Sequence, residues 1–194
     1  MADFRDPEKR MQMLDSEGRI KDLRPNDLIE KLAGITKGMT CVDLGCGTGA
    51  FAFPMVLSVG DKGIVYAVDK NAYMLERIRA KNPPPNLILL LCDANQTGLG
   101  SHIADFCLIA LVLHELEQPY TVMSEAFRLL KPDGTLVVVE WKAEPDVVRG
   151  PSHVNRLYRE QIERLFKRAG FSRFKYIDWT KNYYVTEGFK KKID

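Results

Sequence analysis

The segment that decides the fold of this 194-residue chain is Val42-Asp43-Leu44-Gly45-Cys46-Gly47-Thr48-Gly49. The apolar residues before the glycines predict a β-strand over 40–44, and the apolar run from Ala50 to Val59 predicts the helix that follows. Glycines between a strand and a helix allow positive φ angles and let a ligand approach the backbone closely. The segment therefore predicts the ligand-binding loop of an α/β protein.

Strand and helix patterns alternate on the C-terminal side of this loop. Short apolar runs predict strands at 63–69, 86–92, 105–111 and 135–140, with helices after Asn71 and Pro119. A turn, Lys131-Pro-Asp-Gly134, precedes the last of these strands. Strands that are apolar along their whole length are typical of a sheet covered on both faces. We therefore expect an α/β, Rossmann-like, doubly wound and mostly parallel sheet.

The two ends of the chain differ from this alternating core. Residues 1–37 predict one or two helices, with Leu28, Ile29 and Leu32 as the apolar side of the second, and we assign them as an N-terminal helical cap. Residues 38–194 form the expected core. After a helix over 158–169, strand-like runs at 172–178 and 182–186 predict an antiparallel C-terminal edge, which makes seven strands.

The composition excludes several classes of protein. Hydrophobic residues make up 45% and charged residues 28%, with a net charge of +2, as in ordinary globular proteins. The longest apolar runs, 87–92 and 106–113, are far shorter than the ~20 residues that cross a bilayer. The first ten residues lack the apolar core of a signal peptide. We therefore expect a cytoplasmic protein without a membrane partner.

Charge and cysteine placement argue against two other kinds of partner. Residues 142–194 carry 13 Lys and Arg against 7 Asp and Glu, a net charge of +6, whereas nucleic-acid-binding domains are usually more basic, with interleaved aromatics. No two cysteines have the C-x-x-C spacing of a zinc site. We expect no nucleic-acid partner, no metal, and reduced thiols at Cys41, Cys46, Cys92 and Cys107.

Three carboxylates follow three successive predicted strands. Asp69 ends the second strand, where a carboxylate meets the ribose of many nucleotide cofactors. Asp43, two positions before Gly45, would repel a pyrophosphate and suits a ligand with a positive end. Asp93 can accept a hydrogen bond from an exocyclic amine. The set favours an adenosyl ligand with an ammonium and a sulfonium. The G-x-G-x-x-A pattern at 45–50 leaves a nicotinamide-dependent dehydrogenase as the weaker alternative.

With this loop and these carboxylates, the chain resembles the class I S-adenosylmethionine-dependent methyltransferases. It is most similar to the small stand-alone branch with ubiquinone/menaquinone-biosynthesis-like and arsenite-methyltransferase-like proteins. The matching runs are 42–49, 65–69, Asp93-Ala94, 105–111, 128–139 and Glu140-Trp141-Lys142. The resemblance implies S-adenosylmethionine as the cofactor and S-adenosylhomocysteine as its product.

The resemblance also implies binding roles for individual residues. Asp43 and the loop 45–49 would hold the methionyl part, and Asp69 the ribose. Lys70 and Met74 would flank the adenine. The implied cofactor-binding residues are Asp43, Gly45, Cys46, Gly47, Thr48, Gly49, Asp69, Lys70, Met74, Asp93, Ala94 and Leu111.

His114, close behind Leu111, is the candidate catalytic residue. Methyl transfer leaves a neutral thioether, so much of the acceleration can come from alignment and from excluding water. A general base helps when the acceptor is a phenol, an enol or an ammonium. The alternative is a purely structural histidine. The expected lining of the acceptor pocket is Glu140, Trp141 and Tyr183 or Tyr184.

The acceptor class is narrowed by what the sequence lacks. The N/D-P-P-Y motif of amine methylation on nucleic acids is replaced by Ala110-Leu-Val-Leu-His114. Arsenite methylation needs several converging thiolates, which cysteines on separate strands do not offer. We expect a small, partly apolar acceptor and a monomer or homodimer. A cofactor-binding regulatory or scaffold protein without turnover is the alternative.

Overall fold

Seven strands and seven α-helices make up the described chain, which in the computed structural model comprises residues 6–31, 33–144, 146–147 and 149–191. The strands are β1 (Thr40–Leu44), β2 (Ile64–Asp69), β3 (Leu87–Leu91), β4 (Ala104–Ala110), β5 (Leu130–Trp141), β6 (Arg173–Asp178) and β7 (Tyr183–Phe189). The helices are α1 (Pro7–Leu14), α2 (Glu17–Leu23), α3 (Pro25–Lys31), α4 (Ala52–Val59), α5 (Ala72–Arg79), α6 (Pro119–Leu129) and α7 (Arg159–Ala169).

All seven strands join one sheet in the order β3-β2-β1-β4-β5-β7-β6. The pairs among β1 to β5 are parallel, whereas β7 is antiparallel to both of its neighbours. The predicted mostly parallel sheet with an antiparallel C-terminal edge is therefore confirmed. The structure adds that β7 lies between β5 and β6, so that β6 is the outermost strand at this end of the sheet.

Each face of the sheet is covered by its own hydrophobic core. One core includes residues of α3, α4 and α5, such as Leu28, Met55 and Ile78, packed on Cys41. The other includes residues of α6 and α7. This two-sided burial explains why the strands are apolar along their length, and it confirms the doubly wound prediction. Within the described ranges, no helix is long and apolar enough to cross a bilayer.

The helix termini follow local rules that the sequence shows. The Asn71 side chain caps α5 by accepting a hydrogen bond from the Tyr73 N–H at 3.0 Å, and Pro119 begins α6. Gly170 ends α7 with a φ of 105°, a left-handed conformation that glycine adopts without strain. These predicted boundaries are confirmed because each depends on only a few neighbouring residues.

The N-terminal segment contains three short helices where the sequence predicts one or two. Arg24, in the left-handed region at φ 54°, ends α2, and Pro25 begins α3 directly afterwards. Leu28 and Ile29 are buried as expected, whereas Leu32 lies outside the described residues. Residues 1–5 and 192–194 also lie outside them, and the division into a cap over 1–37 and a core over 38–194 stays a prediction.

The predicted turn at 131–134 lies within strand β5. Ala104 is paired with Leu130, and the next partners are Phe106 and Thr135, so that four residues oppose one across the register shift. The Lys131 ammonium reaches the carboxylate of that one residue, Asp105, at 2.8 Å. The turn is therefore a four-residue bulge within the strand, and the strand begins earlier than its apolar run.

The contact between β7 and α7 gives a stability prediction. A methyl group at Gly188 would lie 2.3 Å from Cε1 of Phe166. We therefore expect Gly188→Ala to lower the free energy of unfolding by about 1–3 kcal/mol, because the packed ring must move. For a domain of this size, this corresponds to a melting temperature lower by roughly 2–4 °C per kcal/mol, measured by circular dichroism.

Gly18→Ala is the matched control, because Gly18 lies in α2 and a methyl group there would meet nothing within 4 Å. Alanine is favoured over glycine in a helix by roughly 0.5–1 kcal/mol, so this variant should melt at the same or a higher temperature. An equal loss of stability in both variants would contradict the packing argument.

Candidate functional site

A crevice opens where β1 and β4 lie side by side. The chain proceeds from β1 to β2 and β3 on one side and from β4 to β5 on the other, so the loops after β1 and β4 diverge. The last pair that joins these two strands is Asp43 with Leu108. The predicted site residues Asp43, Asp69, Asp93 and Leu111 all lie at or just beyond the carboxyl ends of their strands, and therefore at this edge.

The loop after β1 turns sharply because its glycines adopt positive φ angles. Gly45, Gly47 and Gly49 have φ values of 83°, 53° and 86°. The Gly45 N–H donates to the Val68 carbonyl at 2.8 Å, which ties the loop to β2. A methyl group at Gly45 would lie 2.4 Å from Cγ2 of Val112, so only glycine lets the turn after β4 pack this closely.

The two side-chain-bearing positions within this loop point into the protein. Cys46 is 7% exposed and Thr48 2% exposed. Burial raises the pKa of the Cys46 thiol well above its ordinary value, so the group stays neutral. The Thr48 carbonyl accepts a hydrogen bond from Lys81 Nζ at 2.8 Å. The outer surface of the loop is therefore mostly backbone, which suits close contact with a ligand.

Asp43 is a buried carboxylate beneath the loop. It is 1% exposed, and its Oδ2 has no hydrogen-bond partner among the described residues. Burial, and after it the charge of Asp69, raises the pKa of Asp43 to about 8. A buried carboxylate is stabilised in its charged form when a cation binds to it. This site therefore fits the ammonium end of the expected cofactor.

Asp69 at the end of β2 holds the loop from the other side. Its Oδ2 accepts from the Gly47 N–H at 2.9 Å, and its Oδ1 accepts from the Asn71 N–H at 2.9 Å. A carboxylate can accept about four hydrogen bonds, so capacity remains for two ribose hydroxyls. The sequence predicts only the ribose contact, and the structure adds the role of fixing the loop.

The predicted adenine contacts lie further along the same edge. Lys70 is exposed, whereas Met74 is buried at 2% exposure. Asp93 accepts from the Asn95 N–H at 2.8 Å through Oδ1 only, and it is otherwise exposed. Ala94 packs against the core on the α6 side. Asp93 thus keeps one oxygen available for an exocyclic amine.

Leu111 marks the opposite lip of the crevice, after β4. Its φ of 60° is rare for a residue with a side chain, and its N–H donates to the Val139 carbonyl at 2.8 Å. Such strain persists only where the surroundings impose it, and it concentrates at functional sites. Here the strained residue turns the chain into the short 3₁₀ helix Leu113–Glu115, which carries His114.

His114 is held by a carboxylate that the sequence predicts only as pocket lining. Its Nδ1 lies 2.8 Å from Oε2 of Glu140, whose side chain is fully buried near the end of β5. Burial alone would lower the pKa of His114, but the hydrogen bond and the charge of Glu140 raise it above its ordinary value of 6.5. The signal in the sequence is a single carboxylate that ends a run of valines.

Helix α1 lies over the glycine loop. Cδ1 of Leu14 is 3.5 Å from the position of a methyl group on Gly47. Arg10 of α1 donates to both carboxylate oxygens of Glu115 at 2.9 and 2.8 Å. Asp15, just after α1, pairs with two basic side chains of the α5 region at 2.7 and 3.0 Å. The helix is therefore fastened to both sides of the crevice.

Trp141 and Tyr183 lie opposite each other in the β5–β7 pair, and their ring centroids are 4.5 Å apart. The buried Arg156 guanidinium donates to four backbone carbonyls between residues 142 and 151, at 2.6 to 3.0 Å. These bonds hold that segment beside Trp141. Tyr184 faces the other core, where its hydroxyl donates to the Leu157 carbonyl at 2.7 Å, so Tyr183 is the tyrosine on this side.

All four cysteines, Cys41, Cys46, Cys92 and Cys107, are free. Burial raises the pKa of each thiol, that of Cys41 to about 12, which disfavours the thiolates that metals and arsenic bind. In the part of the chain that the structure describes, no group of three or more His, Cys, Asp or Glu could hold a metal ion.

Comparisons with known proteins agree with this geometry. A family model described as "Methyltransferase domain" matches residues 42–138. The demethylmenaquinone methyltransferase of Lactococcus lactis is 34% identical over 113 residues, which cover 57% of this chain and 45% of that protein. The enzyme of the same name from Bacillus pumilus is 28% identical over 156 residues, covering 79% and 66%. The chain thus spans about half to two thirds of the length of these curated relatives.

A solved structure extends the likeness to nearly the whole chain. The crystal structure of a SAM-dependent methyltransferase from Aquifex aeolicus superposes with a TM-score of 0.85 at 26% identity, covering 95% of this chain and 98% of that one. Its fold and the matching family model point to the same class as the resemblance in the sequence. The chain belongs to the methyltransferase domain family, within the class I S-adenosylmethionine-dependent group that includes the menaquinone and ubiquinone C-methyltransferases.

Proposed function

We propose that the chain transfers a methyl group from S-adenosylmethionine to a small, partly apolar acceptor, with His114 as the general base. The observation that carries this proposal is the pair of His114 and Glu140 at the crevice whose floor holds the buried Asp43. A regulatory protein that only binds the cofactor has no need for an oriented, partly buried imidazole beside the site.

Several residues of the chain suit the cofactor, which when bound supplies an electrophilic methyl group on its sulfonium. Asp43 would hold the ammonium, and the loop 45–49 would pack along the methionyl part. Asp69 would accept from the ribose hydroxyls. Lys70 and Met74 would flank the adenine, with Asp93 and Ala94 at its edge. These assignments are supported by the unpartnered Asp43 oxygen and by the positive φ angles of the loop.

The proton is handled by His114. Glu140 holds Nδ1 at 2.8 Å, so the other ring nitrogen is the one available to an acceptor. A carboxylate in this position fixes the tautomer and stabilises the imidazolium that forms. His114 would therefore take a proton from an acidic O–H, N–H or C–H of the acceptor, which leaves an electron pair on that acceptor atom for attack on a methyl group.

The acceptor class follows from the walls around His114. Leu111 and Trp141 are partly buried and offer apolar surface on the side of the sheet that α3 to α5 cover. The curated relatives are named for methylating demethylmenaquinone. An aromatic ring with an ionisable hydroxyl matches both the apolar walls and the base. We infer that the N-terminal helices and the segment 142–157 cover such an acceptor and exclude water.

We also infer that the chain works in the cytoplasm. The four free cysteines support this location, because thiols stay reduced there.

The function is tested by adding cofactor and then acceptors. S-adenosylmethionine and S-adenosylhomocysteine should each raise the melting temperature. At a ligand concentration of a hundred times the dissociation constant, the free energy of unfolding should increase by about 2.7 kcal/mol. Radioactive methyl transfer to a panel of phenols and quinols should then yield a product. The absence of any stabilisation would refute the proposal.

Stabilisation without any product, together with a protein partner that co-purifies, would instead favour the cofactor-binding regulatory protein. Stabilisation by NAD, retained in an Asp43→Ala variant, would favour the dehydrogenase. Asp69→Ala cannot separate these cases, because both cofactors carry a ribose.

Asp43 should impose a trade-off between stability and binding. Its pKa rises from 3.8 to about 8 in the folded chain, so the folded state holds a proton that the unfolded state releases between these values. The free energy of unfolding therefore falls as the pH rises through this window. Asp43→Asn should remove this slope, make the ligand-free protein more stable by at least about 1 kcal/mol at pH 7.5, and weaken cofactor binding roughly 10- to 100-fold.

Calorimetric titration and thermal unfolding at several pH values measure both effects. In the wild type, S-adenosylmethionine should bind roughly tenfold more tightly at pH 7.5 than at pH 6.5, because its ammonium favours the ionised carboxylate. Asp61→Asn is the control, since Asp61 is exposed and makes no side-chain hydrogen bond among the described residues. Equal binding by the Asp43→Asn variant and the wild type would contradict the assignment.

The role of Glu140 is visible in the titration of His114. Glu140→Gln removes the charge that raises the pKa of His114, so that pKa should fall, as followed by NMR of the labelled imidazole. The acidic limb of the rate profile should move to lower pH with it, because the base must be deprotonated. His114→Gln should lower kcat by roughly 10²–10⁴-fold and leave cofactor affinity unchanged.

His153→Gln is the matched control, because this histidine is exposed. It should leave both kcat and the His114 titration as they are. If His114→Gln retained full kcat while the cofactor still bound, His114 would be a structural histidine and not the base.

A further inference from the structure

Arg19 on α2 is a partly buried cation without a carboxylate partner. Its Nη1 donates to the Leu14 carbonyl at 3.1 Å. It forms no ion pair with any carboxylate of the described residues. Burial lowers the pKa of Arg19, and the neighbouring Tyr183 and Asp15 only partly offset this effect. A desolvated charge without a counter-ion costs stability, so it needs an explanation.

The structure fixes the position of Arg19 through both ends of α2. Next to α2, the Leu14 side chain lies over the glycine loop, 3.5 Å from the position of a methyl group on Gly47. One turn after Arg19, Asp22 accepts from Asn182 Nδ2 at 2.6 Å, directly before Tyr183. The guanidinium therefore lies at the Leu14 carbonyl, close to the glycine loop, and near enough to Tyr183 for that residue to affect its pKa.

Arg10 on α1, which precedes α2, is already paired with a carboxylate. Nη2 of Arg10 donates to both carboxylate oxygens of Glu115, at 2.9 and 2.8 Å. Glu115 directly follows His114, so Arg10 lies beside that histidine, and the charge of Arg10 also lowers the pKa of Arg19. Arg19, by contrast, has no carboxylate on its guanidinium among the described residues, so its N–H groups remain for a ligand. A planar guanidinium matches a carboxylate through two parallel hydrogen bonds.

We propose that Arg19 binds a carboxylate within the methyl-transfer site, an inference that rests on the proposed function. Two ligands could bring this group. The cofactor carries a carboxylate beside the ammonium that Asp43 would hold. An acidic acceptor, such as a hydroxybenzoate, could instead place its carboxylate on Arg19 and its ring on Trp141, with its hydroxyl towards His114. Two pairs of ligands, each pair with and without the carboxylate, separate these two sources.

The first arm tests the cofactor. S-adenosylmethionine and its decarboxylated analogue, which keeps the ammonium and the sulfonium, are titrated calorimetrically into the wild type and Arg19→Gln. If the cofactor supplies the carboxylate, the variant should bind S-adenosylmethionine about 10- to 100-fold more weakly and the analogue with unchanged affinity.

The second arm tests the acceptor. 4-Hydroxybenzoate and its uncharged counterpart 4-hydroxybenzamide are titrated into each protein saturated with S-adenosylhomocysteine. If an acceptor supplies the carboxylate, Arg19→Gln should lose affinity for the benzoate by the same factor, keep that for the amide, and bind the cofactor as before. Unchanged affinity for both carboxylate ligands would overturn the proposal.

Lys21→Gln is the matched control, because this substitution removes the same charge from an exposed position on the same helix. It should change neither affinity, and equal losses in both variants would also overturn the proposal, because they would reflect net charge alone. If Arg19→Gln does not fold, Arg19→Lys gives the same comparison, since it keeps the charge and lacks the two-pronged geometry. Failure of the wild type to bind any cofactor would overturn the proposed function as well.

Discussion

The parallel pairing of β1 with β4 is the constraint on which the site depends. Because the chain leaves these two strands in opposite directions, their following loops cannot cover the sheet edge between them. The loops still touch at one point, where Val112 packs against Gly45 so closely that no side chain fits on the glycine. This contact sets the width of the crevice. The strained residue Leu111 directly precedes Val112, and the chain turns there into the short helix that carries His114.

The placement of buried ionisable side chains around this crevice is not explained by stability alone. Asp43 beneath the loop and Arg19 beside it are each desolvated without an ion-pair partner among the described residues. Each costs folding free energy in the ligand-free chain. An acid and a base placed in this way become a pair of opposite charges when a zwitterion, or an ammonium and an acid together, bind beside them. The His114–Glu140 pair, in contrast, is satisfied within the protein, as suits a base that must keep its orientation.

The elements that sequence reasoning predicts correctly are those that local chemistry determines. Asn71, Pro119 and Gly170 mark helix ends through interactions with their nearest neighbours. The bulge opposite Asp105 is different, because its strand assignment depends on pairing with a distant partner. The same holds for Glu140. In the sequence it is one acidic residue after a run of valines, and its partner lies 26 positions away.

The sequence by itself determined the α/β alternation, the glycine loop, the carboxylates after the strands and hence the cofactor class. These depend on periodicity and on conformations that only glycine or a capping residue adopts readily. Only the tertiary structure decided which charges are neutralised. Arg10 and Arg19 look alike in the sequence, yet one is paired with Glu115 and the other is not. The physical reason is that burial and ion pairing arise between residues far apart in the chain, and packing alone brings them together.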